Sequence, residues 1–162
     1  MKLMTKAFVV ACGIVQATFS FGEEGENAKR TVVNVNEGVM KPINIALNIL
    51  DNDMISGQVL AVIKSDLQST GLFRSIPSDA FLQKLTDLNQ APSFQSWKTI
   101  NAQYLVNVQA RNAGGKWGIS LVVYDVLAAA KIKEFAISGN SDEWRKAAHM
   151  AANAIYERII GE

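Results

Sequence analysis

The pattern of apolar residues changes its period near residue 51, and this change constrains the fold more than any other feature. The segment 43–50 alternates apolar with small or polar residues, which is typical of a half-buried strand: Ile43, Ile45, Leu47 and Ile49. From about residue 54 to 70 the apolar residues recur at helical spacing instead, at Ile55, Val59, Val62, Ile63 and Leu67. Asp53 is the predicted N-cap and Gly71 the predicted stop. A strand followed directly by a helix predicts an α/β unit.

The rest of the chain predicts more strands and one more long helix. A short strand is expected at 72–76, a short helical piece at 80–85 and a brief helix at 94–100. Strands at 104–111, 117–126 and 131–138 read as an antiparallel meander, with a glycine turn at 112–116. The unbroken apolar run Leu121–Val123 favours a central strand that is covered on both faces.

A final helix is predicted to open at Asn140–Glu143, where capping residues and acids suit a helix start. Its predicted buried face consists of Trp144, Ala148, Ala151, Ile155 and Ile159. We therefore expect an α/β (α+β) sandwich in which a mixed sheet is covered by two principal helices.

Residues 1–22 have the three parts of a secretory signal peptide. Lys2 and Lys6 form a basic start, an apolar run follows from 7 to 15, and small residues follow that run. A loose lipobox at Cys12 is the alternative, but the apolar run continues past the cysteine. We expect residues 1–22 to be removed, 23–38 to form a charged arm and a strand, and 39–162 to form the α/β domain.

Composition and charge exclude several classes of protein. The chain is 49% hydrophobic, too apolar for a disordered chain, and its net charge of +1 offers no basic face for nucleic acid. Its longest apolar run, at the N-terminus, is too short to span a bilayer, so we expect no membrane insertion after cleavage. Loss of the two leader lysines would leave 14 basic and 15 acidic residues. Loss of Cys12, the one cysteine, would leave no thiol for a disulfide, a nucleophile or a metal site.

The residues that could carry chemistry are few. His149 is the one histidine, and we interpret it as a residue at the edge of the core, because no nucleophile or acid partner is identifiable. Asp51 and Asp53 lack the glutamate that a calcium loop needs at its twelfth position, which is Val62 when Asp51 is the first. The glycine pair 114–115 indicates a hairpin turn and no phosphate cradle. The sequence therefore predicts no catalytic residue, no metal site and no cofactor.

One short segment near the N-terminus suits binding by strand addition. Its β-branched residues favour an extended backbone whose amides can pair with an exposed sheet edge. The segment comprises Thr31, Val32, Val33, Asn34, Val35, Asn36 and Glu37. The charged arm before it and Gly38 after it would permit detachment. The alternative, an ordinary edge strand of the same domain, does not exclude exchange with a partner.

Five segments in order resemble the N-terminal domain of the TolB family, the periplasmic component of the Tol–Pal envelope system. The resemblance covers about residues 31–162. The segments are EGVMKPINIA at 37–46, DLQSTGLF at 66–73, Trp97 with AQYLV at 102–106, VYDV at 123–126, and WRKAAH at 144–149 with IYERIIGE at 155–162. Two family positions differ, since Asn101 replaces a usual glycine and Ile160 a usual threonine.

The resemblance implies a fold and an envelope function. It implies an anticodon-binding-domain-like α/β fold and a non-catalytic periplasmic adaptor that maintains envelope integrity and outer-membrane constriction at division. In the family, the N-terminal segment binds the inner-membrane protein TolA, so it implies partner binding by residues 31–37. The family binds the lipoprotein Pal through a C-terminal β-propeller that this sequence does not contain. The chain would then be a fragment or a solo domain.

Two other functions stay open beside the adaptor. A periplasmic small-ligand-binding module would carry a pocket between helix and sheet, and its melting temperature would respond to the ligand. An enzyme would need a cleft with a perturbed ionisable group, and replacement of His149 would then abolish its activity.

Overall fold

The computed structural model describes residues 41–161, apart from the side chains of Ala113 and Ser141. These residues form one mixed five-stranded sheet and three helices, which confirms the predicted α+β fold with two long helices. In chain order the elements are β1 (Ile43–Ile49), α1 (Met54–Ser69), β2 (Phe73–Ile76), α2 (Phe94–Thr99), β3 (Tyr104–Ala113), β4 (Lys116–Asp125), β5 (Ala130–Asn140) and α3 (Trp144–Ile160).

The sheet has the strand order β2-β1-β3-β4-β5. Strand β1 is parallel to both of its neighbours, β2 and β3. Strands β3, β4 and β5 form the predicted antiparallel meander. As predicted, β4 is internal, and residues 121–123 in it are fully buried. The sheet therefore joins a parallel βαβ half to an antiparallel half.

Two apolar clusters cover the two faces of the sheet. The helix-side cluster joins α1 and α3 to the strands through residues that include Val59, Ile63, Leu67, Val123, Ala151 and Ile155. The loop-side cluster joins the segment 77–103 to the opposite face through Leu85, Trp97, Ala102, Leu105, Val122 and Tyr124. Because α1 follows β1 on one face and segment 77–103 follows β2 on the other, the chain diverges at the carboxyl ends of these strands.

Helix α1 begins as its sequence predicts. The Asp53 carboxylate accepts hydrogen bonds from the backbone N–H of Ile55 and of Ser56, at 2.9 and 2.8 Å. These bonds satisfy donors that have no partner within the helix. The helix ends at Ser69, and Gly71 then takes the left-handed conformation, with φ of 73°.

One local prediction is wrong. Residues 80–85 form no helix: a single 3-10 turn covers Ser78–Ala80, and Phe81 is extended. An extended path lets Phe81 and Leu85 both reach the loop-side cluster. The last helix opens where the sequence predicts: a 3-10 turn over Ser141–Glu143, with Asp142 and Glu143 in its first turn, leads directly into α3. Asn140, which still pairs with Lys116 at the end of β5, makes no side-chain cap bond within the described residues.

The buried face of α3 is close to the predicted one, with one exception. Ala148, Ala151, Ile155 and Ile159 are buried as expected, and so are Ala147 and Ala152. Trp144 is only half-buried, and the Arg145 guanidinium lies 4.8 Å from the centre of its ring. Within residues 41–161, no helix has both the length and the hydropathy that a bilayer span requires.

Candidate functional site

The predicted partner-binding residues 31–37 lie outside the described residues, as do the predicted signal peptide 1–22 and the arm 23–30. The described part of the chain begins at Lys41, two residues before β1. The involvement of Thr31–Glu37 in partner binding therefore stays a prediction. Residues 41–161 provide several concave sites, among them a groove between α1 and α3 and a cavity at the carboxyl ends of β1 and β2.

His149 has an acidic partner that sequence analysis did not identify. Its Nδ1 lies 2.6 Å from Oδ2 of Asp66, and the pair joins helix α3 to helix α1. Both side chains are partly exposed, His149 about half and Asp66 about a third. The interpretation of His149 as a residue at the edge of the core agrees with this position. A signal for the pair existed, because Asp66 and His149 each belong to one of the five segments that carry the family resemblance.

The groove between α1 and α3 surrounds this pair. It has a volume of about 390 Å³ and is lined by Gln58, Ala61, Val62, Ser65, Asp66, Trp144, Arg145 and His149. The Ser65 hydroxyl lines the groove, but no hydrogen bond within residues 41–161 joins it to His149. The arrangement orients an imidazole and provides no activated nucleophile beside it. The described residues also contain no cluster of three potential metal ligands.

A second cavity lies where α1 and segment 77–103 diverge, at the carboxyl ends of β1 and β2. Its volume is about 370 Å³, and it is lined by Leu47, Asn48, Ile49, Asn52, Leu60, Ser78, Phe81, Gln83 and Lys84. In open α/β sheets, ligands bind at such positions, where neighbouring parallel strands send their connections to opposite faces. We call this space the switch-point cavity.

A buried pair of amide side chains adjoins the switch-point cavity. Asn48 lines the cavity, is only 8% exposed, and donates through Nδ2 to Oδ1 of Asn107 at 3.1 Å. Asn107 is fully buried, and its own Nδ2 has no hydrogen-bond partner within the described residues. An unpaired buried amide costs about 1–3 kcal/mol. The alternation of apolar residues in β1 predicts that the Asn48 side chain points to the sheet face opposite Leu47 and Ile49. It does not predict that segment 77–103 covers that face.

The fold defines an α+β domain with two long helices on one face of a mixed sheet and a short helix on the other. The model of one family, the TolB amino-terminal domain, matches residues 31–132. A Tol-Pal system protein TolB from Roseobacter denitrificans is 32% identical over 143 residues, which cover 85% of this chain and 32% of that protein. The chain belongs to the TolB amino-terminal domain family.

The solved structure of a TolB protein shows the same fold at lower identity. The crystal structure of TolB from Acinetobacter baumannii superimposes with a TM-score of 0.65 at 20% identity, over 75% of this chain and 29% of that one. The LpoB C-terminal domain from Salmonella enterica has a TM-score of 0.48 at 13% identity, over 64% of this chain and 87% of that one. The chain spans about a third of the length of the curated TolB relative.

Proposed function

We propose that this chain is a non-catalytic periplasmic adaptor of the Tol–Pal system, serving envelope integrity and outer-membrane constriction at division. In this proposal residues 1–22 direct secretion, residues 23–38 form the arm and the binding strand, and residues 39–162 form the body. The binding strand, Thr31–Glu37, pairs with a sheet edge of a TolA-like inner-membrane protein. Binding of Pal, which the family performs through its propeller, is not assigned to this chain.

Family membership carries the proposal, because the family match begins at Thr31, the first residue of the predicted binding strand. The topology of the described sheet also supports it. Strand β1, into which the segment leads, is paired on both sides, with β2 and with β3. The described sheet has no vacant interior position for another strand. As a strand, residues 31–37 could therefore pair only with an edge of this sheet or with a sheet edge of another molecule.

The site chemistry favours binding over catalysis. The His149–Asp66 pair is partly exposed and lies in the open groove between α1 and α3. An ion pair or hydrogen bond of this kind joins the two helices and adds little stability. We therefore assign His149 a structural role, and an alanine there leaves partner binding unchanged.

The decisive experiment removes the binding strand and measures both binding and folding. Deletion of residues 23–37 is expected to abolish binding to the soluble part of the TolA-like protein of the same organism, measured by calorimetry. The thermal transition is expected to stay nearly unchanged, because the five described strands and the described members of both clusters all follow residue 41. Unchanged affinity after the deletion would rule the proposal out.

A single substitution tests the mode of binding. Val33→Pro removes one backbone N–H and fixes φ, so a paired strand loses a hydrogen bond and its regular path. We expect Val33→Pro to weaken binding strongly, while Gly25→Pro, in the charged arm, leaves it unchanged. Equal affinities for the two variants would show that residues 31–37 do not bind as a strand.

A further inference from the structure

The switch-point cavity has the composition of a small-molecule site. Its volume of about 370 Å³ lies at the lower end of the range for such sites, roughly 300–1,000 Å³. Phe81 and Leu60 give it apolar walls, and Asn48 and Asn52 give it amide groups. A site with these walls takes a ligand that combines a small apolar group with polar groups at fixed positions.

The charge in the lining of the cavity is positive. Lys84 is the one charged residue in its lining, and no carboxylate lines it. Within residues 41–161, Lys84 forms no ion pair. An ammonium group beside amide side chains favours a carboxylate and disfavours a second cation.

The backbone of β1 adds a donor and an acceptor. The N–H of Leu50 donates to the carbonyl of Val108 in β3, whereas the N–H of Ile43 donates to the carbonyl of Leu72 on the β2 side. The backbone N–H and C=O groups of the odd-numbered residues of β1 therefore point toward β2. Strand β2 ends at Ile76, which pairs with Ala46. The peptide N–H and C=O of Ile49 therefore lie beyond the end of β2, at the cavity, with no hydrogen-bond partner within the described residues.

These groups match one class of ligand. We propose that the switch-point cavity binds a small N-acylated carboxylate, of about the size of an N-acyl amino acid. The carboxylate pairs with Lys84, the amide pairs with the exposed peptide group of Ile49 and the side chain of Asn52, and the apolar side chain contacts Phe81. A free amino acid is disfavoured, because its ammonium group meets no carboxylate there. The site is independent of the proposed strand binding by residues 31–37.

Three probes of one shape separate these contributions. N-acetyl-L-leucine carries every feature, N-acetyl-L-leucinamide lacks the carboxylate, and L-leucine lacks the acyl group. In nuclear magnetic resonance titrations of the full chain, N-acetyl-L-leucine is expected to shift the amide signals of Ile49 and Asn52 saturably. The leucinamide loses the charge-assisted contact with Lys84 and is expected to bind about tenfold more weakly. L-leucine keeps that contact but loses the amide contacts and brings an ammonium group near Lys84, and a similar weakening is expected.

Two matched lysine variants test the role of Lys84. Lys84→Ala lowers the affinity for N-acetyl-L-leucine about tenfold and leaves that for the leucinamide unchanged. Lys98→Ala, an exposed lysine in helix α2 outside the cavity, changes neither. Absence of saturable shifts at millimolar probe, or equal effects of the two lysine variants, would overturn the proposal. Since both lysines are exposed, the folding of both variants is verifiable from an unchanged melting temperature.

Discussion

Asp53 caps helix α1 and also gives the protein a titratable source of stability. The Ser56 hydroxyl, the Ser56 N–H and the Ile55 N–H all donate to its carboxylate, and these hydrogen bonds hold its pKa below the ordinary 3.8. Because the folded pKa is the lower one, the contribution is present above the unfolded pKa. It is lost as the pH falls through the folded pKa.

The variant Asp53→Asn removes this contribution, because asparagine is also a good N-cap but does not ionise, and its Nδ2 cannot accept the hydrogen bond from the Ser56 hydroxyl. We expect the wild-type chain to be more stable than Asp53→Asn at neutral pH, and the difference to shrink below about pH 4. Urea unfolding at about pH 7 and about pH 3 measures both free energies. A difference that stays constant over this range would mean that the carboxylate charge contributes nothing.

Residues differ in how far their roles follow from local sequence. Asp53 is predictable, because a cap acts on backbone groups two and three positions away. Ser56 is not, because its hydroxyl proton is shared between the Asp53 carboxylate and the carbonyl of Ala110, which is 54 residues along the chain. Ser56 is also fully buried. The partner of His149 is 83 residues away and becomes a neighbour only when α1 and α3 pack together.

At the scale of elements, the β3–β4 hairpin depends on two glycines in the left-handed region. Gly114 and Gly115 have φ of 60° and 77°, the two positive values that a tight hairpin turn requires. A Cβ added to Gly115 meets no atom within 4 Å, so the cost of Gly115→Ala comes from the backbone alone. We expect a loss of about 1 kcal/mol in the free energy of unfolding.

Gly118 provides the matched control for this hairpin. It lies in β4 without a positive φ, and a Cβ added there also meets no atom within 4 Å. We expect Gly118→Ala to change stability by less than about 0.5 kcal/mol in urea unfolding. A cost for Gly118→Ala equal to that for Gly115→Ala would contradict the backbone explanation.

The segment 77–103 is fixed by side-chain contacts instead of regular secondary structure. Oε1 of Gln83 accepts from the backbone N–H of Ser93 at 2.7 Å and from Nε1 of Trp97 at 3.1 Å. One amide thus joins the two ends of an irregular stretch to α2. This explains why the helical piece predicted at 80–85 is wrong: periodicity within six residues does not register a contact that is ten to fourteen positions away.

Gln83→Ala is therefore expected to destabilise the chain by about 1–3 kcal/mol, since it leaves two donors unpaired, one of them on a buried tryptophan. Gln95→Ala, in the exposed face of α2, is the control and is expected to be nearly neutral. Chemical unfolding followed by tryptophan fluorescence measures both. Similar values for the two variants would show that the Gln83 bridge is dispensable.

At the scale of the whole molecule, the order and type of most elements follow from sequence, while the layers on the two faces do not. The period change near residue 51 and the apolar run 121–123 give a strand, a helix and a central strand that the structure confirms. The switch-point cavity had no such signal. Its lining comes from β1, α1 and segment 77–103, which meet only because two connections leave the sheet on opposite faces.

The two apolar clusters share one sheet, which predicts that they unfold together. Val122 and Val123 are adjacent in β4 and fully buried, yet they point into the loop-side and the helix-side cluster respectively. Trp97 reports on the loop side and Trp117 on the helix side. Chains that keep only one of these tryptophans, with phenylalanine at the other two positions, allow each cluster to be observed alone.

In both single-tryptophan chains, Val122→Ala and Val123→Ala are each expected to lower the free energy of unfolding by about 2 kcal/mol. The decrease in the free energy of unfolding is expected to be the same with either tryptophan as the reporter. Both clusters are built on the same strands, so neither is expected to stay folded when the other unfolds. Fluorescence and circular dichroism follow the transition in urea. If Val122→Ala shifted the Trp97 signal and left the Trp117 signal in place, the loop-side layer would be a separate unit. Coincident shifts would establish that the two layers unfold as one cooperative body.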